Sequence, residues 1–215
     1  MPVPLKIDFV SDISCPWCVI GLRALEQAIA RLDGQVAVDL HFQPFELNPQ
    51  MPPGGQDIDE HLQQKYGSTP EQAALVRERI RAAGAALGFT FSLQTRSRIY
   101  NTFDAHRLLH WAALEGHQLA LKQALFQAYF TDGEDPSSHQ VLIRAAARVG
   151  LDATRAARIL DSNEFAAVVR KEQAFYRDQG IHAVPAVIIN NQHLIQGGQP
   201  VEVFEQALRQ IAGLA

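Results

Sequence analysis

The chain has 215 residues, 47% of them hydrophobic and 20% charged, with a formal net charge of −4. That composition can fill the core of one large domain, or of a domain carrying an insertion, and its negative balance gives no electrostatic footprint for nucleic acid. No stretch approaches the ~18 consecutive apolar residues of a membrane span, and Met1-Pro2-Val3-Pro4 lacks the charged and apolar regions of a signal peptide, so a cytoplasmic protein that contacts no membrane is expected.

Pro4–Val10 reads as a strand, with Leu5, Ile7 and Phe9 on one face. Val19–Ile29 reads as a helix. Between them stands Ser14-Cys15-Pro16-Trp17-Cys18, which holds both cysteines of the chain. Pro16 suits the first helical turn, where an absent N–H costs nothing and φ is already helical. Cys15 then falls at the cap and Cys18 one turn further in. The unpaired N–H groups and positive dipole end of a helix stabilise a thiolate, which is the reactive form of a thiol. Cys15 is therefore expected to be the exposed, attacking thiol and Cys18 the buried one that resolves a mixed disulfide. Two cysteines in a reducing compartment point to catalytic use. A zinc site built from the pair with His106 and His110 is the competing reading; it fits less well, because a pair that opens a helix after a strand suits redox chemistry. No metal is expected.

Gln35–Phe45 alternates Val36, Val38, Leu40 and Phe42, a second strand joined to the first by a right-handed crossover. Glu46 to Gly55 is a Pro/Gly-rich loop. From Asp57 to about Gln179 the pattern is helical almost throughout. Asp57 starts a short helix with acids in its first turn, and Thr69 caps another that opens on Pro70 and runs to about Leu87. Phe89–Ser92 is a loop or short strand. Helices follow over about Thr102–Glu115, Gln118–Thr131, Ser138–Val149, Asp152–Leu160 and Asn163–Gln179. Asn101 and Thr102 suit a cap. Arg96, Arg98, His106 and Arg107 form either a basic rim facing an anionic group or a solvated helix face. Ala186–Asn190 and His193–Gln196 form a hairpin about Asn190-Asn191, and Val201–Leu208 closes the chain as a helix. Pro185 is either an ordinary strand-start proline or the second residue of a cis Val184–Pro185 bond.

Four stretches resemble the DsbA-like thioredoxin superfamily, and more closely its FrnE-like cytosolic branch. They are Ser11–Cys18 with Gly21 following, Asn101–Arg107, Gly180–Ile189 and Gln196–Pro200, in order along nearly the whole chain. The resemblance implies an α/β thioredoxin-like fold with a large all-helical insertion: residues 1–50 and 180–215 as the thioredoxin-like part, 51–179 as the helical part, its last helix packing back toward the sheet. It implies a thiol–disulfide oxidoreductase with Cys15 and Cys18 as catalytic residues and Ser14, Pro16 and Trp17 as the active-site turn. It places Pro185 beside that turn, with Val184, Asn101 and His106 as substrate-binding residues. No tightly bound cofactor is implied; glutathione or another thiol stays open as co-substrate, a thiol- or disulfide-bearing protein or small molecule as partner, and a homodimer as assembly. The wider superfamily includes glutathione-dependent isomerases, which typically carry serine where Cys15 stands; the intact pair argues against that chemistry. A non-enzymatic metal- or peptide-binding module is the remaining alternative.

Overall fold

The computed structural model describes residues 1–92 and 97–214. Its centre is a strand that is buried on both faces over its second half. Val3–Ser11 (β1) pairs in parallel with Val36–Pro44 (β2), Val3 opposite Val36 and Ser11 opposite Pro44. On its other edge β1 pairs antiparallel with Ala186–Ile189 (β5), which turns through Asn190 and Asn191 into His193–Gln196 (β6). Both asparagines have positive φ, at 52° and 56°, as a tight hairpin between right-twisted strands requires. The order is β2-β1-β5-β6. Because β1 is interior and covered on both faces, it is buried continuously from Ile7 to Ser11, where alternation alone would leave Asp8 exposed. Asp8 is 3% exposed, and its carboxylate is met by Lys6 at 2.9 Å and by Gln43 Nε2 at 2.6 Å.

Pro16–Arg31 (α1) makes the crossover from β1 to β2 and packs against Val201–Ile211 (α9). Two glycines permit close packing around α1. A Cβ on Gly21 would lie 3.1 Å from Pro185 Cγ, and one on Gly198 would lie 2.9 Å from the Trp17 carbonyl. The start of α1 is thereby held against the loop before β5 and the turn after β6.

Between β2 and β5 the chain runs through Ile58–Tyr66 (α2), Pro70–Ala86 (α3), Phe103–Leu114 (α4), Gln118–Phe130 (α5), His139–Arg148 (α6), Ala153–Leu160 (α7) and Ala166–Asp178 (α8). Asp57 caps α2 through Asp59 N and Glu60 N, and Thr69 and Gln72 form a reciprocal capping box on α3. The inserted region also holds a short antiparallel ladder, Gln56–Asp57 (β3) with Arg98–Ile99 (β4); two residues are too few for a period-2 signal. Phe89–Ser92 is a loop, packed by the Phe89 and Phe91 rings. The last inserted helix begins at Ala166 rather than Asn163. Phe165, at φ 62°, leaves the helical region just before Ala166, and the buried Arg107 guanidinium holds that stretch by taking the carbonyls of Ile159, Ser162 and Glu164. Helices α4, α5 and α8 lie against β2, and Gln118 of α5 satisfies that edge with two 2.9 Å bonds to the backbone of Phe42. This is the α/β sheet with a helical insertion that the sequence resemblance implies.

Candidate active site

The end of β1 leads into a tight turn at which both cysteines are set. Cys15 is the N-cap of α1, with extended backbone (φ −91°, ψ 111°), and Pro16 occupies the first helical position. Cys15 N donates to Asp12 O at 3.4 Å, and Cys18 N donates back to Cys15 O at 3.1 Å. Both cysteines are free thiols. Cys18 is wholly buried, and Cys15, expected to be exposed, shows only 4% of its surface. The cause is the loop before β5: the Val184–Pro185 bond is cis, and Cys15 Sγ rests 3.6 Å from the Val184 carbonyl oxygen. Pro16, Trp17 and Val184 are half-buried around that contact. The thiol expected to meet substrate is thus covered by the strand-start backbone, and the order of burial between the two cysteines is as expected.

Ser14 is buried and turned inward. Its hydroxyl donates to Asp12 Oδ2 at 2.9 Å, and its N–H lies 3.3 Å from Oδ1. Asp12 also accepts from Leu47 N at 2.7 Å and from the Thr102 hydroxyl at 2.7 Å, while His106 Nε2 stands 3.5 Å from Oδ1. Burial would push this carboxyl up, but the facing His106, the Leu47 N–H and the Thr102 hydroxyl outweigh it and hold the group at about 2. One carboxylate therefore ties the β1–α1 turn, the loop after β2 and the start of α4 together.

Asn101, one residue before the Thr102 N-cap of α4, accepts from Phe103 N at 2.9 Å, and its amide reaches Glu46 Oε1 at 3.4 Å. Thr102 makes no cap bond, because its hydroxyl is committed to Asp12. Glu46 is nearly buried; that burial raises its carboxyl, against the lowering effects of His106 and of Gln173, which donates to it at 3.1 Å. His106 thus faces the turn through Asp12, whereas Asn101 reaches Glu46 in the loop after β2. Among the described residues the basic cluster does not assemble into a rim. Arg107 is spent inside the fold, Arg98 donates to the carbonyls of Gly54 and Gly55, and Arg96 lies outside the described residues. At the outer edge Tyr66, 61% exposed, has its hydroxyl raised by partial burial and by neighbouring Cys15.

The cysteines feel one further group that sequence reasoning missed. Lys122 of α5 is fully buried, its Nζ without a hydrogen-bond partner among the described residues, 5.0 Å from the centre of the Phe126 ring and 5.8 Å from that of Phe42. Burial lowers its ammonium to about 8, with Cys18, Asp12 and Cys15 opposing. The Cys18 thiol is pushed well above its usual range, first by burial and then by Cys15, with Lys122 pulling the other way. A signal existed: Leu119–Tyr129 is apolar around most of its circumference, and a lysine in such a helix has little surface to reach. Asp12, three residues before a cysteine, was readable as an acid near the thiols but not as a hub. Among the described residues no group of three or more His, Cys, Asp or Glu is placed to hold a metal ion, and no helix is long and apolar enough to cross a membrane.

The family model described as DSBA-like thioredoxin domain matches residues 6–209. A crystal structure of a probable DsbA oxidoreductase from Streptomyces coelicolor is 33% identical and superposes with a TM-score of 0.91, covering 97% of this chain and 90% of that one. The Bacillus subtilis protein YwbO is 28% identical over 211 residues, 97% of this chain and 96% of its own length. The cytosolic disulfide reductase DsbM from Pseudomonas aeruginosa, solved with GSH, shares the fold at 17% identity and a TM-score of 0.68, with 97% of this chain and 100% of that one covered.

Proposed function

The chain belongs to the DSBA-like thioredoxin domain family, and we propose that within it the Cys15-Pro16-Trp17-Cys18 pair is the working dithiol of a thiol–disulfide oxidoreductase. The observation that carries this reading is the position of Cys15: it caps α1 with its sulfur 3.6 Å from the Val184 carbonyl, one helical turn from Cys18. In the reducing direction the Cys15 thiolate attacks a substrate disulfide, one substrate sulfur leaves as thiolate, and Cys18 then attacks Cys15 to release the other. In the oxidising direction a substrate thiolate opens the Cys15–Cys18 disulfide and a second substrate thiol releases the product. The helix N-terminus favours the anionic sulfur in both.

Val184 and Pro185 form the shelf against which an extended substrate backbone lies, with Trp17 and Tyr66 bordering it. Ser14, Asn101 and His106 act from behind, through Asp12 and Glu46, by holding the turn. Glutathione or a comparable thiol serves as co-substrate, a role supported by the DsbM structure with GSH. DsbM is a cytosolic reductase, which supports a cytosolic setting for this chain as well. The same reading divides the chain into a thioredoxin-like part, 1–50 with 180–215, and a helical part, 51–179.

The test is a trapping experiment. Mixed with a disulfide-bearing peptide, Cys18→Ser should accumulate a covalent adduct at Cys15, and Cys15→Ser should lose exchange entirely. Exchange by Cys15→Ser at the unmodified chain's rate would overturn the assignment. So would glutathione-dependent turnover of a small aromatic substrate that survives Cys18→Ser, which would move the chain to the isomerase reading.

A further inference from the structure

Buried charges in folded proteins are paired or hydrogen-bonded, because an isolated one loses its hydration without replacement. Lys122 Nζ breaks that rule: among the described residues it has no hydrogen-bond partner in the dithiol state, only the faces of Phe42 and Phe126. It lies in the wall of a cavity of about 160 Å³ between β2, α4, α5 and α8. That volume is below the roughly 300–1,000 Å³ of an ordinary ligand pocket. The titratable groups around the same cavity are His41 of β2, His106 and His110 of α4, and Glu172 of α8, which His110 approaches at 3.5 Å. None of them bonds Nζ. Toward the sheet, Phe42 packs edge-on against Phe9 of β1, 5.7 Å between centroids, and the anion-forming groups that the ammonium feels there are Cys18, Asp12 and Cys15. Asp12 is already occupied by Ser14, Leu47, Thr102 and His106. Cys18 is not.

We propose that Lys122 is the counter-charge of the Cys18 thiolate: the ammonium is unpartnered in the resting dithiol because its partner is formed only during resolution. This rests on the dithiol reading above and assigns a positioning role to a residue of the helical insertion. In the step concerned, the Cys18 sulfur forms a bond to the Cys15 sulfur, the bond from Cys15 to the substrate sulfur breaks, and the Cys18 proton ends on the departing thiol. Ionising Cys18 inside the protein is the costly part, and a fixed buried cation lowers that cost where water cannot.

The experiment uses the full reduced chain and the aromatic disulfide 5,5′-dithiobis(2-nitrobenzoate). Attack by Cys15 releases one coloured thiolate, and resolution by Cys18 releases the second, so stopped-flow absorbance separates the steps. In Lys122→Met the second release should slow about tenfold near neutrality, the equivalent of about one pKa unit. Its pH profile should move upward, the first release should change less, and Lys122→Arg should recover most of the loss. A second release with unchanged rate and pH profile in Lys122→Met overturns the proposal while leaving the dithiol reading intact. Absence of any second release from the unmodified chain fails the dithiol reading itself. Should Lys122→Met not fold, NMR titration of the Lys122 ε-methylene in the reduced chain and in Cys18→Ser decides: the curves should differ, and identical curves overturn the pairing.

Discussion

Two buried charges flank the dithiol, and they are treated in opposite ways. Asp12 stands in the turn before Cys15 with donors from the β1–α1 turn, the loop after β2 and the start of α4 gathered on its two oxygens. Lys122 reaches the same region from α5 and is hydrogen-bonded by none of the described residues. The first arrangement is structural: each donor that Asp12 accepts from is one element pinned to the turn, and the carboxylate stays ionised because those donors replace water. The second leaves a cation poorly solvated, so that an anion appearing nearby gains from it. A fully satisfied charge holds geometry still, and an unsatisfied one is a reserve of electrostatic free energy beside reacting groups.

The comparison breaks first at Asp12. Asp12→Asn removes the charge and turns one acceptor into a donor facing donors, and should cost about 3–5 kcal/mol in denaturant unfolding, the scale of an uncompensated buried polar network. A loss under 1 kcal/mol would mean that the hub is not holding the turn. Lys122→Met should behave oppositely and be neutral or stabilising at neutral pH, since an unpartnered charge gives way to an apolar side chain of similar length. Its alkaline signature follows from linkage. The folded ammonium titrates at about 8, against 10.5 for an ordinary lysine, so the unfolded chain binds more protons between those values. Stability of the unmodified chain should rise through that window by roughly 3 kcal/mol relative to Lys122→Met. Parallel stability curves for the two proteins would remove the contrast.

Asp12 titrates on the other side. Its folded value of about 2 lies below the ordinary 3.8, so its contribution is present above pH 4 and lost as pH falls from there toward 2. Acid unfolding should show roughly 2 kcal/mol lost across that window, and Asp12→Asn should lack this component. The smallest effect belongs to a single donor: Thr102→Val deletes one 2.7 Å bond to Asp12 and should cost about 1–2 kcal/mol. An equal cost in the Asp12→Asn background would show that the hydroxyl acts elsewhere.

Local pattern carried far along this chain. The strand–turn–helix around Cys15, the Asn190-Asn191 hairpin, the capping box at Thr69 and the closing helix all obey rules that operate within a few residues. The departures arise where a distant side chain intervenes. The last inserted helix starts late, after a left-handed Phe165, in a stretch whose carbonyls the buried Arg107 holds. Thr102 abandons its cap position for Asp12, 90 residues away in sequence. Asn101, just before that cap, accepts from Phe103 N and also reaches Glu46.

What the sequence by itself determined is the dithiol unit: two cysteines a helical turn apart, a proline that suits the first turn, and a strand to present them. Spacing and helix-terminal electrostatics suffice for that, because both act over a few ångströms of contiguous chain. Only the tertiary structure decided what surrounds the unit: the Val184 carbonyl over Cys15, the four donor groups on Asp12, and the ammonium of Lys122 behind the pair. Those depend on which faces of distant elements pack together. Burial, which sets the strength of every charge in the site, is a property of that packing and of no residue alone.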